Sequence, residues 1–206
     1  MWVKICGIMS LDDALAAVDA GADALGFVFV GASRRAVSRK TCSEIMAALP
    51  PTVITVGVVA DEDPTFLRDL LRVCPLGALQ FHGDEPPERV LSFKESARVI
   101  KAIRVEDAGS LEQIPLYRGA DAVLLDTHRP GRQGGTGVPF DWALAAEAKK
   151  FGVPVIVAGG LNPGNVGEVI RAVDPYGVDV SSGVESSPGR KDHALIREFV
   201  ARAQAT

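Results

Sequence analysis

The thiol of Cys6 is the first group in this chain that could do chemistry. It ends a short apolar run that begins at Trp2, and alternation along a strand would place Lys4 and Cys6 on one face. An ammonium group at that position could lower the pKa of the thiol and favour the thiolate, which can act as a base. A lone cysteine is more commonly a small buried hydrophobic residue, and both interpretations are open from this stretch alone.

A carboxyl group, Asp126, follows a later apolar run that covers Ala122–Leu125. A thiolate and a carboxylic acid that face each other across a pocket would form a general base and a general acid. We therefore treat Cys6 and Asp126 as the candidate catalytic pair. An aspartate at the start of a loop commonly does no more than hydrogen-bond its own backbone, which is the structural alternative.

Two glycine-bearing loops predict an anion site. Gly159-Gly160 follow the run Val155–Ala158, and Ser182-Gly183 come shortly after the run Val178–Val180. Glycine lets backbone N–H groups approach an anion closely, and barrels commonly bind phosphate between the loops after strands seven and eight. Both dipeptides also occur in ordinary turns. The pattern favours a phosphorylated small molecule as the ligand, with Gly159, Gly160, Ser182 and Gly183 as the residues that hold its phosphate.

Further polar residues are expected to line the substrate pocket. An arginine forks well onto a carboxylate, so the arginine at position 35 is a candidate for binding one. Its neighbour Arg34 is expected to lie in a solvated turn. The histidine at position 82 could be catalytic or simply hydrogen-bonded. The predicted pocket residues are Lys4, Arg35, Gln80, His82 and Asp179.

Eight short apolar runs, alternating with amphipathic stretches, must position these side chains. The runs are rich in Val, Ile and Leu, which is typical of parallel strands covered on both faces. No linker divides the chain, so the pattern predicts a compact α/β protein with a single (β/α)8 TIM barrel domain over residues 1–206. An open doubly wound sheet is the alternative, but no G-x-G-x-x-G follows the first run. The runs are Val3–Cys6, Ala24–Val30, Val53–Val59, Ala78–Phe81, Val99–Ile103, Ala122–Leu125, Val155–Ala158 and Val178–Val180.

Helix-start signals stand between the runs. A polar N-cap precedes an apolar stripe of helical spacing. Proline follows the cap in three cases, of which Glu85-Pro86 is the weakest because Glu is a poorer cap. Segments 38–49 and 140–150 are also predicted helices, and segment 106–116 is the weakest one. The predicted starts are Ser10, Asp63-Pro64, Glu85-Pro86, Asn162-Pro163 and Asp192.

Composition excludes several classes of protein. The 206 residues carry a net charge of −4, without the basic surplus of a nucleic-acid binder. No apolar run approaches the roughly 18 residues of a membrane span, and we expect neither membrane binding nor a secretory signal. The three cysteines form neither a disulfide framework nor a zinc pattern, which favours a reducing cytoplasm. For Cys42 and Cys74, on predicted helices, we expect no chemistry.

The order and spacing of motifs along the whole chain resemble the phosphoribosylanthranilate isomerase family of tryptophan biosynthesis. Each motif is weak alone, and their combination is highly specific. Those that carry the resemblance include Lys4-Ile-Cys-Gly-Ile8, Ser33-Arg-Arg-Ala-Val-Ser38, Gln80-Phe-His-Gly83, Leu124-Leu-Asp-Thr127, Ala158-Gly-Gly-Leu-Asn-Pro163 and Val178-Asp-Val-Ser-Ser-Gly-Val-Glu185.

The resemblance implies an Amadori rearrangement of N-(5-phosphoribosyl)anthranilate to a 1-deoxyribulose 5-phosphate. It makes Asp126 the acid that protonates the ribose ring oxygen and Cys6 the base that removes the C2 proton. It assigns Arg35 to the anthranilate end and Asp179 to the neighbourhood of the sugar hydroxyls. It implies no cofactor and no metal. We expect a monomer, with a homodimer as the alternative.

The role of one loop and two alternative functions are open from the sequence. The glycine-rich loop 128–137 could be a flap over the site or a passive connection. The sister histidine-pathway isomerase has the same fold but uses a pair of aspartates, the first on strand one, where this chain has Cys6. A non-catalytic phosphate-binding barrel is the alternative from another class.

Overall fold

The computed structural model describes residues 1–126 and 142–206, and at its centre eight parallel strands form a closed barrel. Strands adjacent in the chain are adjacent in the barrel, and β8 pairs with β1 to close it. The predicted TIM barrel is therefore confirmed. The strands are β1 Trp2–Cys6, β2 Ala24–Val28, β3 Ile54–Val59, β4 Ala78–Phe81, β5 Arg98–Arg104, β6 Ala122–Asp126, β7 Val155–Ala158 and β8 Gly177–Val180.

Helices connect most of the strands, because parallel neighbours need a crossover that returns the chain to the other end of the barrel. Between β5 and β6 the crossover is a 3₁₀ segment, Ala108–Tyr117, with Pro115 inside it. This is the segment whose sequence gives the weakest helix signal. The helices are α1 Leu11–Asp19, α2 Arg39–Met46, α3 Pro64–Val73, α4 Pro87–Leu91, α5 Trp142–Ala148, α6 Val166–Val173 and α7 His193–Gln204.

Three predicted N-caps are confirmed. The side chains of Ser10, Asp63 and Asp192 each accept a hydrogen bond from a backbone N–H in the first turn of the helix that follows. Such caps satisfy donors that have no partner inside the helix. They fix where each helix begins, and hence the length of the loop that precedes it.

Two predicted caps are wrong. Glu85 does not cap α4, which begins at Pro87; its carboxylate is buried and lies 2.8 Å from the Lys101 ammonium. A buried ion pair satisfies that carboxylate better than a helix end would. Asn162 does not cap α6, for which Asn165 is the N-cap residue. The Asn162 side chain instead accepts a hydrogen bond from the Gly164 N–H at 2.8 Å and closes a turn.

The described residues form two main apolar clusters and a third small one of Cys6, Val28 and Val58. The largest lies between the barrel and its helices, and the second fills the barrel interior with residues such as Ala78, Leu124 and Ile156. Burial on both faces explains why the strands are nearly continuous apolar runs. Within the described ranges, no helix is long and apolar enough to cross a membrane.

A short hairpin follows β8 and packs against the carboxyl end of the barrel. A 3₁₀ turn, Ser182–Val184, leads into β9 Glu185–Ser187, which pairs antiparallel with β10 Arg190–Lys191. Gly189 turns the chain with φ at +84°, a conformation that favours glycine. A Cβ added there would stand 3.3 Å from the Arg34 carbonyl oxygen, so the hairpin contacts the loop after β2.

Candidate active site

Inward-facing polar side chains collect at the carboxyl ends of the strands. In β6, Ala122 and Leu124 belong to the interior of the barrel, so alternation turns Asp126 the same way. The same argument applies to β4, where Ala78 is interior and Gln80 follows two residues later. Barrel enzymes place their active sites at this end. The inward polar residues of the strands include Lys4, Cys6, Gln80, Asp126 and Asp179.

Cys6 and Lys4 lie on one face of β1, as alternation predicts. Both pack against Gly26 of β2: a Cβ added at Gly26 would stand 2.8 Å from Cys6 Sγ and 3.1 Å from Lys4 Cε. The missing side chain of Gly26 therefore makes room for them. Cys6 is 8% exposed, at the upper boundary of the apolar interior.

Lys4 is fully buried and its ammonium group donates to Asp179 Oδ1 at 2.9 Å. Although burial alone would lower the pKa of Lys4, the Asp179 carboxylate raises it above its ordinary value. Lys4 is thus charged, and it lies one pleat below Cys6 on the same face of β1. Lys4 and Asp179, both predicted to line the substrate pocket, bind each other. Lys4 therefore influences the site through its contacts with Cys6 and Asp179.

Lys4 lowers the pKa of Cys6, as expected, but the net shift of that pKa is upward. Burial raises the pKa of the thiol, and the negative charge of Asp179 adds to this effect. The positive charges of Lys4 and Lys191 act in the opposite direction, but burial outweighs them. The thiolate is therefore disfavoured relative to an exposed cysteine, and the two lysines decide how strongly. Cys42 and Cys74 are buried free thiols, as expected.

A hydrogen-bonded chain orients Asp126. Gln80 Nε2 donates to His82 Nδ1 at 3.1 Å, which leaves the proton of a neutral ring on Nε2. His82 Nε2 then donates to Asp126 Oδ2 at 3.0 Å. The amide oxygen of Gln80 is buried and has no partner in the part of the chain that the structure describes. The three predicted site residues are therefore joined.

The two predicted phosphate loops are in direct contact. A Cβ added at Gly183 would overlap the carbonyl oxygen of Leu161, so this glycine is required for the close approach. Gly159 and Gly160 have φ angles of +80° and +69°. Within the described ranges, the backbone N–H groups of Gly160, Ser182 and Gly183 have no hydrogen-bond acceptor. They can donate to an anion between the loops.

Arg35 has a partner that the sequence did not reveal. Its Nε and Nη2 donate to the two carboxylate oxygens of Glu185 at 2.6 and 2.8 Å. Glu185 also accepts from the buried ammonium group of Lys191 at 3.0 Å. Glu185 and Lys191 belong to the hairpin, beyond the ends of the barrel strands, and are not among the predicted site residues. The predicted glycine-rich loop 128–137 lies outside the described residues.

Comparison with known proteins gives consistent results. The family model for N-(5'phosphoribosyl)anthranilate (PRA) isomerase matches residues 3–202 of this chain. The N-(5'-phosphoribosyl)anthranilate isomerase of Geobacter sulfurreducens is 54% identical over 202 residues, which cover 98% of both chains. That of Desulforudis audaxviator is 54% identical over 98% of this chain and 97% of its own.

Two solved structures are also similar over the whole of both chains. The crystal structure of phosphoribosyl anthranilate isomerase from Thermotoga maritima superposes with a TM-score of 0.94 at 43% identity. A phosphoribosyl anthranilate isomerase in complex with reduced 1-(o-carboxyphenylamino)-1-deoxyribulose 5-phosphate superposes with a TM-score of 0.91 at 41% identity. The fold and the sequence thus point to the same group of proteins.

Proposed function

The chain belongs to the N-(5'-phosphoribosyl)anthranilate isomerase family, and from that premise we propose how its own residues carry out the reaction. The protein is an isomerase of tryptophan biosynthesis. It converts N-(5'-phosphoribosyl)anthranilate, an aminoaldose, into 1-(2-carboxyphenylamino)-1-deoxyribulose 5-phosphate. The proposed roles rest above all on one observation: Cys6 and Asp126 both face the interior at the same end of the barrel.

Asp126 opens the ribose ring in the proposed first step. Its carboxylic acid donates a proton to the ring oxygen while the bond from that oxygen to C1 breaks. The lone pair of the anthranilate nitrogen then forms a Schiff base with C1. The hydrogen bond from His82, at 3.0 Å, holds the carboxyl group in one orientation, which supports its use as a positioned acid.

Cys6 removes the proton from C2 in the second step. The electron pair of that C–H bond forms the C1–C2 double bond and neutralises the Schiff-base nitrogen, giving an enolamine. Tautomerisation of the enolamine yields the ketone. A base must be deprotonated to act, and the pKa of Cys6 is raised by burial, so the ammonium groups of Lys4 and Lys191 favour the active thiolate.

The two ends of the substrate have separate binding groups in this proposal. The backbone N–H groups of Gly160, Ser182 and Gly183, together with Gly159 in the same loop, hold the phosphate. Arg35 binds the anthranilate carboxylate, because a guanidinium matches a carboxylate in shape and charge. Gln80, which donates to His82, completes the lining near the sugar. Asp179, at the same end of the barrel, lies near the sugar hydroxyls.

Turnover of freshly made phosphoribosylanthranilate, followed by its fluorescence, tests this proposal. Wild type should be active, whereas Cys6→Ser and Asp126→Asn should each lose at least about a hundredfold in kcat, the contribution typical of acid–base groups. Circular dichroism should show that both variants are folded. Inactive wild type would refute the activity, and folded variants with full kcat would refute the roles of Cys6 and Asp126.

We further propose that the protein is a cytoplasmic monomer that needs no cofactor or metal. Its three cysteines are free thiols, as is usual for a reducing compartment. One similar structure, with a TM-score of 0.89 at 39% identity, is of monomers derived from dimeric phosphoribosylanthranilate isomerase of Thermotoga maritima. Light scattering after gel filtration decides the assembly: a mass near 21.7 kDa supports the monomer, and twice that mass refutes it.

A further inference from the structure

Glu185 is held by two cations in a site with little access to water. Its carboxylate takes a bidentate contact from Arg35, at 2.6 and 2.8 Å, and a third hydrogen bond from Lys191 at 3.0 Å. The Glu185 side chain is 5% exposed and that of Lys191 is fully buried. Arg35 and Lys191 lower the pKa of Glu185, although burial acts to raise it, so the carboxylate is ionised. The network therefore sets two cationic side chains, Arg35 and Lys191, against one carboxylate; burial lowers the pKa of Lys191, and Glu185 acts against this.

The contact leaves one edge of the Arg35 guanidinium available. A guanidinium has five N–H donors, and Glu185 takes the edge formed by Nε and Nη2. The Nη1 group has no acceptor in the described part of the chain. The edge formed by Nη1 and Nη2 can fork onto a second carboxylate, which would also neutralise the excess positive charge.

The stem of Arg35 runs directly over the strand that carries Cys6. Gly7 follows Cys6 with φ at +77°, and a Cβ added there would stand 2.5 Å from Arg35 Cδ. The arginine is therefore held at both ends: its stem rests on Gly7 and its head on Glu185. A carboxylate on the open edge would lie beside the residue proposed as the base.

Lys191 connects this arginine site to the proposed phosphate site. Its ammonium group donates to the Ser181 carbonyl oxygen as well as to Glu185, both at 3.0 Å. Ser181 immediately precedes Ser182 and Gly183, and Gly183 packs against Leu161 in the loop after β7. One segment, residues 181–191, thus connects the arginine that is proposed to bind the anthranilate carboxylate with the loop that is proposed to bind the phosphate.

We propose that Glu185 and Lys191 are positioning residues for Arg35, which they hold so that its open edge meets the anthranilate carboxylate. The inference rests on the proposed function, which assigns that carboxylate to Arg35. Glu185 acts on the substrate only through the guanidinium. Lys191 acts on the guanidinium through Glu185, and its charge separately favours the thiolate of Cys6. Both residues therefore determine affinity for the carboxylated aromatic end of the substrate, and the proton-transfer steps are left to Cys6 and Asp126.

Glu185→Gln is the central variant, because it keeps the shape of the side chain but removes its charge and turns N–H donors toward the arginine. The probes are two stable ligands: reduced 1-(o-carboxyphenylamino)-1-deoxyribulose 5-phosphate, and its phenylamino counterpart without the carboxyl group. Calorimetry gives Kd for each. In wild type the carboxylated ligand should bind more tightly, and Glu185→Gln should weaken it about tenfold while leaving the other ligand unchanged.

Steady-state kinetics and a variant cycle complete the test. KM for phosphoribosylanthranilate should rise about tenfold in Glu185→Gln, with kcat within about twofold of wild type. This pattern is expected when the lost interaction stabilises the bound substrate and the transition state equally. In an Arg35→Met background, the same change should have no further effect on ligand discrimination. Glu44→Gln, a carboxylate on the surface of α2, is the matched control and should change nothing.

The results separate the possible failures. Equal weakening of both ligands in Glu185→Gln, or no weakening of either, overturns the positioning role. Inactive wild type overturns the proposed function instead, whereas the Kd comparison tests the arginine site independently. If Glu185→Gln does not fold, Glu185→Asp retains the charge and shifts the carboxylate; it must show the same selective loss, or the inference is wrong.

Discussion

Replacing Lys4 by methionine should move the pH dependence of the reaction to higher pH. Lys4 is the buried cation beneath Cys6 and lowers the pKa of the thiol against the effect of burial. An opposite charge within about 4–6 Å shifts a pKa by about 1–3 units. The Lys4→Met variant should therefore raise the pKa of Cys6 further above its ordinary value.

The consequence for activity follows from the fraction of thiolate. Below its pKa, a thiol loses about tenfold in thiolate for each pH unit, so a rise of one unit lowers kcat/KM about tenfold at neutral pH. Activity should recover as the pH is raised. The pH profile of kcat/KM reports the free enzyme. The rate of Cys6 alkylation, with Cys6→Ser as the blank, reports the thiol directly.

A second variant guards against an effect of misfolding. Lys4→Met leaves Asp179 buried without its partner, which costs about 3–5 kcal/mol of folding stability. Lys4→Met/Asp179→Asn removes both charges and relieves that penalty. Since Lys4 affects the thiol more strongly than Asp179 does, the double variant should shift the profile in the same direction by a smaller amount. An unshifted profile in folded Lys4→Met protein would refute the electrostatic role.

Three further predictions concern stability and the two loops. Lys101→Met leaves Glu85 buried and unpaired, and should lower the free energy of unfolding by about 3 kcal/mol and Tm by about 6–12 °C. Burial acts to raise the pKa of Glu85, but Lys101 and backbone N–H groups hold it below its ordinary value. The ionised carboxylate therefore makes its full contribution to the free energy of unfolding above the unfolded-state pKa of about 4.3. Denaturation with urea at a series of pH values should show that this contribution is lost as the pH falls further. If the free energy of unfolding falls with acid pH identically in wild type and Lys101→Met, the prediction is wrong. Gly183→Ala should push the Leu161 carbonyl aside and weaken inhibition by inorganic phosphate at least tenfold; an unchanged inhibition constant would place the phosphate elsewhere. Gly7→Ala should displace the arginine stem above it and raise KM more than it lowers kcat, so an unchanged KM would contradict the packing argument.

The sequence predicts the barrel and the strand ends well because both follow from local pattern. Eight apolar runs with helical stretches between them leave few ways to bury both faces of every strand. Strand alternation then places Cys6 and Lys4 together without any knowledge of the partner strands. Asp126 is found in the same way, since it ends β6 and faces inward. These inferences need only the neighbours of each residue in the chain.

Side-chain pairing between distant elements is not predicted, because no local signal marks it. Lys4 and Asp179 are 175 residues apart, and their ion pair depends on the register of β1 against β8. Glu85 precedes a proline, as a helix cap often does, but its carboxylate is drawn to Lys101 on β5. The net effect of burial on the pKa of Cys6 also requires the packed structure, since Lys4 alone suggests the opposite sign.

Glu185 and Lys191 carry a local sequence signal although neither ends a barrel strand. Barrel reasoning inspects the ends of strands, and Glu185 stands five residues beyond the end of β8. The Pro188-Gly189 dipeptide between Glu185 and Lys191 nevertheless marks a turn. A turn of that kind brings its flanks together as a hairpin, and opposite charges at facing positions are then expected to pair. The charged residues Glu185 and Lys191 flank this turn, and the hairpin follows directly after β8 at the active-site end of the barrel. This pattern favours a hairpin that holds a side chain of a neighbouring loop in place. The supported residue, Arg35, could not be identified without the fold, because the contact crosses 150 residues of sequence.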